Sequence, residues 1–283
     1  MWANRMMRKL FNCVASRRLL SPVLLACILF GTAGFGAETL TIRVLTYNIQ
    51  HGQGTDGQID LQRTADVIKR IAPDVAALQE VDRKTTRSRG VDQAAELAKL
   101  TGMHSAFGKA MDFGGGAYGE ALLSRYPLET VKVLDLPYTD GCEPRCVLAA
   151  RVKVGETGPE ILFAGTHLEH AKAVQRLCQS SKISPALAVS DSGPAILAGD
   201  FNDVPDSPVM MILKRHWSDA TADQPDPTWP SDKPRSKIDY VLFRPTGVWQ
   251  VVEQKVIDES VASDHRPLLV VLKWSNATAS GKD

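Results

Sequence analysis

The sequence predicts an α/β protein, a four-layer α/β/β/α sandwich in which two mixed β-sheets pack face to face between flanking helices. Strand-like runs recur along residues 41–273. The early part reads strand, helix, strand, as a parallel pair with a crossover requires. In the middle, successive strand-like runs are separated by short turns, which calls for antiparallel pairing. A doubly wound sheet fails on this last observation, because each parallel neighbour needs its own crossover.

The elements follow in order. Residues 41–47 are β-rich, and 61–70 carry apolar Leu61, Ala65 and Ile68 at helical spacing behind Asp60 as cap. A short buried run follows at 75–78, then a helix to Leu100 capped by Asp92. Strand-like runs come at 104–108, 120–124, 130–136, 147–154 and 161–166. The spacing predicts a helix over 172–180, with Pro185 limiting its continuation. A strand at 195–198, a short helix at 207–214 and strands at 238–243, 248–256 and 267–273 complete the chain. No Gly/Ser/Pro-rich linker and no repeat interrupts 40–275, so residues 37–283 read as one domain.

Residues 1–36 differ in kind. Arg5, Arg8, Lys9, Arg17 and Arg18 stand there with no acid, followed by an apolar run from Leu19 to Phe30 and then small residues. Basic, apolar, small is the order of a secretory signal peptide, and the run is short of the ~20 apolar residues of a membrane span. Cleavage is expected after Gly36, giving a periplasmic or secreted protein; a lipoprotein cut before Cys27 is the rival reading. Loss of those five basic residues leaves 28 of the 33 Lys and Arg against 32 Asp and Glu. An acidic chain is poorly suited to gripping a long nucleic acid duplex. Cys142, Cys146 and Cys178 remain; Cys142 and Cys146 sit in a loop-like C-E-P-R-C where export would favour a local disulfide, and Cys178 reads as a buried helix thiol.

Six segments end or begin strands with a carboxylate, amide or imidazole: Y-N-I at 47–49, L-Q-E-V at 78–81, G-T-H-L at 165–168, A-G-D-F-N-D at 198–203, K-I-D-Y at 237–240 and S-D-H-R-P at 263–267. Such side chains converging at strand ends form a metal or phosphate site rather than a core. Glu80 directly follows a buried run, where an unpaired carboxylate is costly, so it needs a cation or solvent. Asp200 and Asn202, two residues apart, share one side of the strand end while Phe201 turns to the core, and Gly199 permits close backbone approach. His265 needs a carboxylate to fix its tautomer, and Asp239 or Asp264 could supply it. His167 is a second imidazole at a strand end, and Asn48 an amide at another.

Together these segments resemble the endonuclease/exonuclease/phosphatase superfamily, in the family's order from about residue 41 to 273. The resemblance implies a Mg²⁺-dependent phosphoesterase, with Mn²⁺ as the substitute cation. On matching positions it implies metal ligands Asn48, Glu80 and Asp264, with Asn48 and Asn202 also at the phosphate. Asp200 and Asn202 would orient the attacking water, Asp239 and His265 would form the Asp–His pair, and His167 matches the histidine of the deoxyribonuclease and sphingomyelinase branches. Either imidazole could act as acid or base. Arg83, Arg87 and Arg125 are candidate substrate contacts. Glu120 departs from the pattern, standing where many relatives carry an asparagine toward the phosphate.

The expected function is therefore an exported phosphodiesterase, a monomer, acting on a lipid-headgroup, membrane-anchor or small phosphodiester. A secreted nuclease is the alternative within the class, and a phosphate-binding module without turnover the alternative outside it.

Overall fold

The computed structural model describes residues 40–190 and 193–275, all within the compact unit Ala37–Asp283. The expected signal peptide, with its Cys27 alternative, lies outside the described residues. Among them no helix is long and apolar enough to cross a membrane.

The first sheet is opened by β1 (Leu40–Asn48), α1 (Leu61–Ile71) and β2 (Val75–Arg83), followed by α2 (Gln93–Thr101), β3 (His104–Phe113) and β4 (Gly116–Ser124). The second contains β5 (Glu129–Asp135), β6 (Cys146–Lys153), β7 (Glu160–His167), α3 (Ala173–Ser190), β8 (Ala195–Asp200), α4 (Pro208–Leu213), β9 (Ser218–Asp219) and β10 (Asp239–Arg244). The chain then returns to the first sheet with β11 (Trp249–Val256) and β12 (Leu268–Trp274). The six-stranded orders are β11-β12-β1-β2-β4-β3 and β5-β6-β7-β8-β10-β9. Each sheet holds a parallel pair, β1/β2 and β7/β8, with the other neighbours antiparallel. The two parallel pairs are those whose strands are joined by a helix, α1 and α3.

Three apolar clusters make the layers. Ile42, Val44, Ala77 and Leu122 meet Leu148, Phe163, Ile196 and Val241 between the sheets. Leu45, Tyr47 and Leu78 pack with Ile68 and Leu97 of α1 and α2, and Leu162, Leu197 and Tyr240 with Ile183, Leu187 and Met210 of α3 and α4. The side chains of Asp60, Asp92 and Ser207 accept from Arg63 N, Ala95 N and Met210 N and cap α1, α2 and α4.

Three local expectations are corrected. α3 does not stop before Pro185 but runs through it; an interior proline costs about 3 kcal/mol, and burial of Ile183 and Leu187 on either side of it offsets that. Cys142 and Cys146 are not bonded to each other. Cys146 opens β6 with its sulfur turned inward toward the Gly108 carbonyl at 3.8 Å, while Cys142 stays in the turn beside Thr139 Oγ1 at 3.5 Å. Cys178 is exposed, on the outer side of α3.

Candidate active site

Alternation along the strands carries the inter-sheet row of side chains into the site. In β1 the row Ile42, Val44 continues to Thr46 and Asn48; in β8 it runs Ile196, Ala198, Asp200; in β7, Ile161, Phe163, then His167; in β10 it starts at Asp239 before Val241 and Phe243. The core between the sheets thus turns polar at one end, the carboxyl ends of both parallel pairs. Asp239 pairs directly across from Asp200. At Gly199 a Cβ would collide with the Thr166 carbonyl oxygen, so glycine there allows β7 and β8 to bring His167 beside Asp200.

Glu80 breaks the alternation. Val75 and Ala77 belong to the inter-sheet core, so Gln79 is next in their row, and it is fully buried, accepting from Thr46 Oγ1 at 3.3 Å. The register against β4 shifts between Leu78 and Val81, and Glu80 takes a left-handed φ of 58°. This bulge re-aims its carboxylate toward the strand ends. Asn202 is likewise left-handed, with φ 51°. Such non-glycine conformations cost of order 1–3 kcal/mol and gather at functional sites.

Asn48 ties the halves together. Its Nδ2 donates to Glu80 Oε1 at 3.0 Å and to Asp200 Oδ2 at 3.2 Å, one acid from each sheet, and its Oδ1 accepts from Gln50 N at 3.0 Å. Asp200 Oδ1 accepts from Asn202 N at 2.9 Å. His167 Nε2 stands 3.4 Å, and His265 Nε2 3.6 Å, from Asp200 Oδ2. His265 Nδ1 meets Asp239 Oδ2 at 3.0 Å, an oxygen that also accepts from Thr228 Oγ1. Asp264 accepts from Trp229 Nε1 at 3.4 Å.

Burial raises the Asp200 carboxyl, the charge of His265 opposes the rise and Asp239 adds to it. Burial alone would lower His265, but the carboxylates of Asp239 and Asp200 outweigh it and hold the imidazole well above its ordinary value. His167 is the opposite case: burial and then the Arg145 guanidinium keep it neutral. Two titratable imidazoles are thus pushed apart in one cavity.

Glu80, His167, Asp200, Asn202, Asp264 and His265 line a cavity of about 580 Å³. Arg125 is not among them, and its expected place at the substrate is corrected. β4 runs antiparallel to β2, with Ser124 beside Val75, so Arg125 lies at the far end of the sheet, paired with Asp74 at 3.1 Å. Arg87 does line the cavity but is held by Asp82 at 2.8 Å and stacks 4.4 Å from the Phe113 ring. Arg83 is exposed and lies over the Phe107 ring. Glu120 shares the inter-sheet row with Leu122 and is 1 % exposed, below the lining; burial pushes its carboxyl well up, while Arg145 opposes and Asp200 and Glu80 reinforce.

Sequence reasoning did not find Arg145, Met111, Phe113, Tyr118 and Trp229, which complete the walls. The aromatics carry no polar signature at a strand end. Arg145 precedes β6, whose beginning reaches the site because β6 runs antiparallel to β7, with Val147 beside Thr166.

The residues fit a hard divalent cation. Glu80, Asp200 and Asp264 gather in a cavity whose arginines, Arg87 and Arg145, each pair with another acid, Asp82 and Glu143. With those two arginines paired, the carboxylates of Glu80 and Asp264 beside the charged His265 suit a hard divalent cation. Asp200, Asp239 and His265 also approach within 4.8 Å of one another, but the short Nδ1 to Asp239 contact makes that trio a hydrogen-bonded relay rather than a cage.

A model of the Endonuclease/Exonuclease/phosphatase family matches residues 45–265. The uncharacterized protein YbhP of Escherichia coli K12 is 28% identical over 174 residues, 59% of this chain and 68% of that protein. An endonuclease/exonuclease/phosphatase from Beutenbergia cavernae superposes with a TM-score of 0.70 and 29% identity, covering 85% of this chain and 73% of the other. A mannosyl-6-phosphatase from Bacteroides thetaiotaomicron has the same fold, with a TM-score of 0.69 and 20% identity over 82% of this chain and 99% of its own.

Proposed function

The chain belongs to the endonuclease/exonuclease/phosphatase family and is a hydrolase of phosphoric esters; within it we propose an exported, Mg²⁺-dependent phosphodiesterase for a small or lipid-headgroup substrate. The observation that carries this reading is the Asn48 amide bridging Glu80 and Asp200, next to a His265 held by Asp239. It supports the reading because acids suited to a cation and an imidazole–carboxylate pair would then act at one point.

Glu80 and Asp264 would hold the cation beside Asn48. When bound, the cation neutralises charge developing on the phosphoryl oxygens. Asp200, with its raised proton affinity, accepts a proton from the water that attacks phosphorus in line with the leaving oxygen. His265, charged at neutral pH and oriented by Asp239, donates to a phosphoryl oxygen. As the new P–O bond forms and the P–O bond to the leaving oxygen breaks, that oxygen takes a proton from solvent water, while the neutral His167 gives a hydrogen bond to a phosphoryl oxygen. Asn202 fixes the phosphoryl group.

The cavity walls support the substrate class. Met111, Phe113, Tyr118, Trp229 and Ile238 make an apolar and aromatic side, and the arginines present are already paired. A polyanionic strand would call for an uncompensated basic track. The test is a panel of purified protein with Mg²⁺ against bis-nitrophenyl phosphate, sphingomyelin, inositol phospholipids and plasmid DNA. Turnover of a small or lipid phosphodiester above DNA is expected. Preferential DNA cleavage would make the protein a secreted nuclease instead, and stoichiometric phosphate binding without turnover a binding module.

A further inference from the structure

Arg145 is 2 % exposed, just before β6. Its Nη1 lies 2.9 Å from His167 Nδ1 and its Nη2 2.7 Å from Glu143 Oε2. A guanidinium has only donors and does not deprotonate in proteins. The Nδ1 of His167 must therefore accept, and a neutral imidazole whose Nδ1 accepts carries its proton on Nε2.

That places a second donor beside a first. Asn202 Nδ2 stands 2.9 Å from His167 Nε2 and already gives one hydrogen to the Leu168 carbonyl at 2.9 Å. Two N–H groups at that distance repel rather than satisfy each other; an acceptor that approaches both from the cavity satisfies them, as Asp200 Oδ2, 3.4 Å from Nε2, does in part. The face they present opens on the cavity next to Asp200.

We propose that Arg145 is a positioning residue that locks His167 as the Nε2–H tautomer, so that His167 and Asn202 form a paired donor site for one oxygen of a bound phosphoester. This rests on the phosphoester reading of the cavity for its ligand, but the tautomer itself does not depend on turnover. With the opposite tautomer, the Nδ1 proton would face a guanidinium and Nε2 would have no proton to give the substrate.

The test is ¹⁵N NMR of the full chain with labelled histidine, His167 being assigned by its loss in His167→Gln. In the wild type, Nδ1 should be unprotonated and Nε2 protonated. In Arg145→Gln the proton should redistribute between the two nitrogens, and kcat should fall roughly 10- to 100-fold, the scale of losing an orienting partner of an imidazole, with KM changed less than about twofold. Arg145→Lys, which keeps a charged donor, should restore part of both. A wild-type His167 protonated on Nδ1, or an Arg145→Gln protein with the tautomer unchanged, would overturn the proposal. If Arg145→Gln does not fold, the wild-type spectrum and Arg145→Lys decide it. A protein with the expected tautomer that hydrolyses no phosphoester would leave this lock standing and sink the proposed function.

Discussion

Asp239 Oδ2 lies 3.0 Å from His265 Nδ1, between side chains that are 0 % and 6 % exposed. In so dry a setting the carboxylate fixes the ring's orientation and stabilises its charged form. His265→Ala should lower kcat by roughly 10²- to 10⁴-fold, the usual range for a positioned acid or base, and Asp239→Asn should lower it through the same residue. Steady-state kinetics of both and of the double variant check this: the double variant should be little worse than either single one.

Cation binding should depend on Glu80. Glu80→Gln keeps the size of the side chain but removes the charge that the bulge aims at the cavity, so Mg²⁺ affinity measured by calorimetry should drop at least ~10-fold. Chelation of the wild type should abolish turnover, and Mg²⁺ or Mn²⁺ should restore it. Unchanged affinity in Glu80→Gln would remove Glu80 from the cation site.

The aromatic wall should read the organic part of the substrate. Trp229 and Phe113 are each more than a third exposed and line the cavity, so a flat group has a face to rest on. Trp229→Ala should raise KM for bis-nitrophenyl phosphate by about fivefold or more, stacking being worth about 1–3 kcal/mol, while KM for dimethyl phosphate should hardly move. Equal effects on both would mean that the ring only shapes the loop.

Lys237 gives a pH signature of stability outside the cation ligands. Its Nζ donates to the Asp239 carbonyl at 3.1 Å and lies 3.6 Å from the Tyr240 ring centre. Burial lowers it from 10.5 to about 8, against the opposing charges of Asp219 and Asp239. Above pH 8 the folded chain loses this proton while the unfolded chain keeps it, so stability should rise as pH increases from 8 toward 10, by up to about 3 kcal/mol. Below pH 8 both states are charged and the contribution is flat. Urea unfolding across this range should show the rise in the wild type and its reduction in Lys237→Met.

Much of the site was legible because its residues sit at strand ends where a core cannot absorb them. Asn48, His167, Asp200 and Asp239 stand out as polar residues at strand ends, and alternation in the folded strands puts them in the row that faces the other sheet. Glu80 was found for a different reason than the one that places it: a carboxylate after a buried run had to leave the core, but the bulge and left-handed backbone that aim it have no local sequence marker, since neither glycine nor proline stands there. Arg125 and Arg145 show what strand direction hides. Both flank a strand, yet only knowledge of which strands run antiparallel tells that the end of β4 points away from the site and the beginning of β6 toward it. The sandwich itself was readable from the alternation of crossover helices and short turns. The path of α3 through Pro185 was not, because the burial of Ile183 and Leu187 that offsets the proline is a tertiary effect.

The most direct measurement is hydrolysis of bis-nitrophenyl phosphate by the purified protein, wild type and Asp200→Asn, with and without Mg²⁺. Cation-dependent release of nitrophenol by the wild type, lost by roughly 10²-fold or more in a folded Asp200→Asn protein, is the expected result. Equal release by both proteins, or release by the wild type that chelation leaves untouched, would contradict a cation-assisted phosphodiester hydrolysis centred on Asp200.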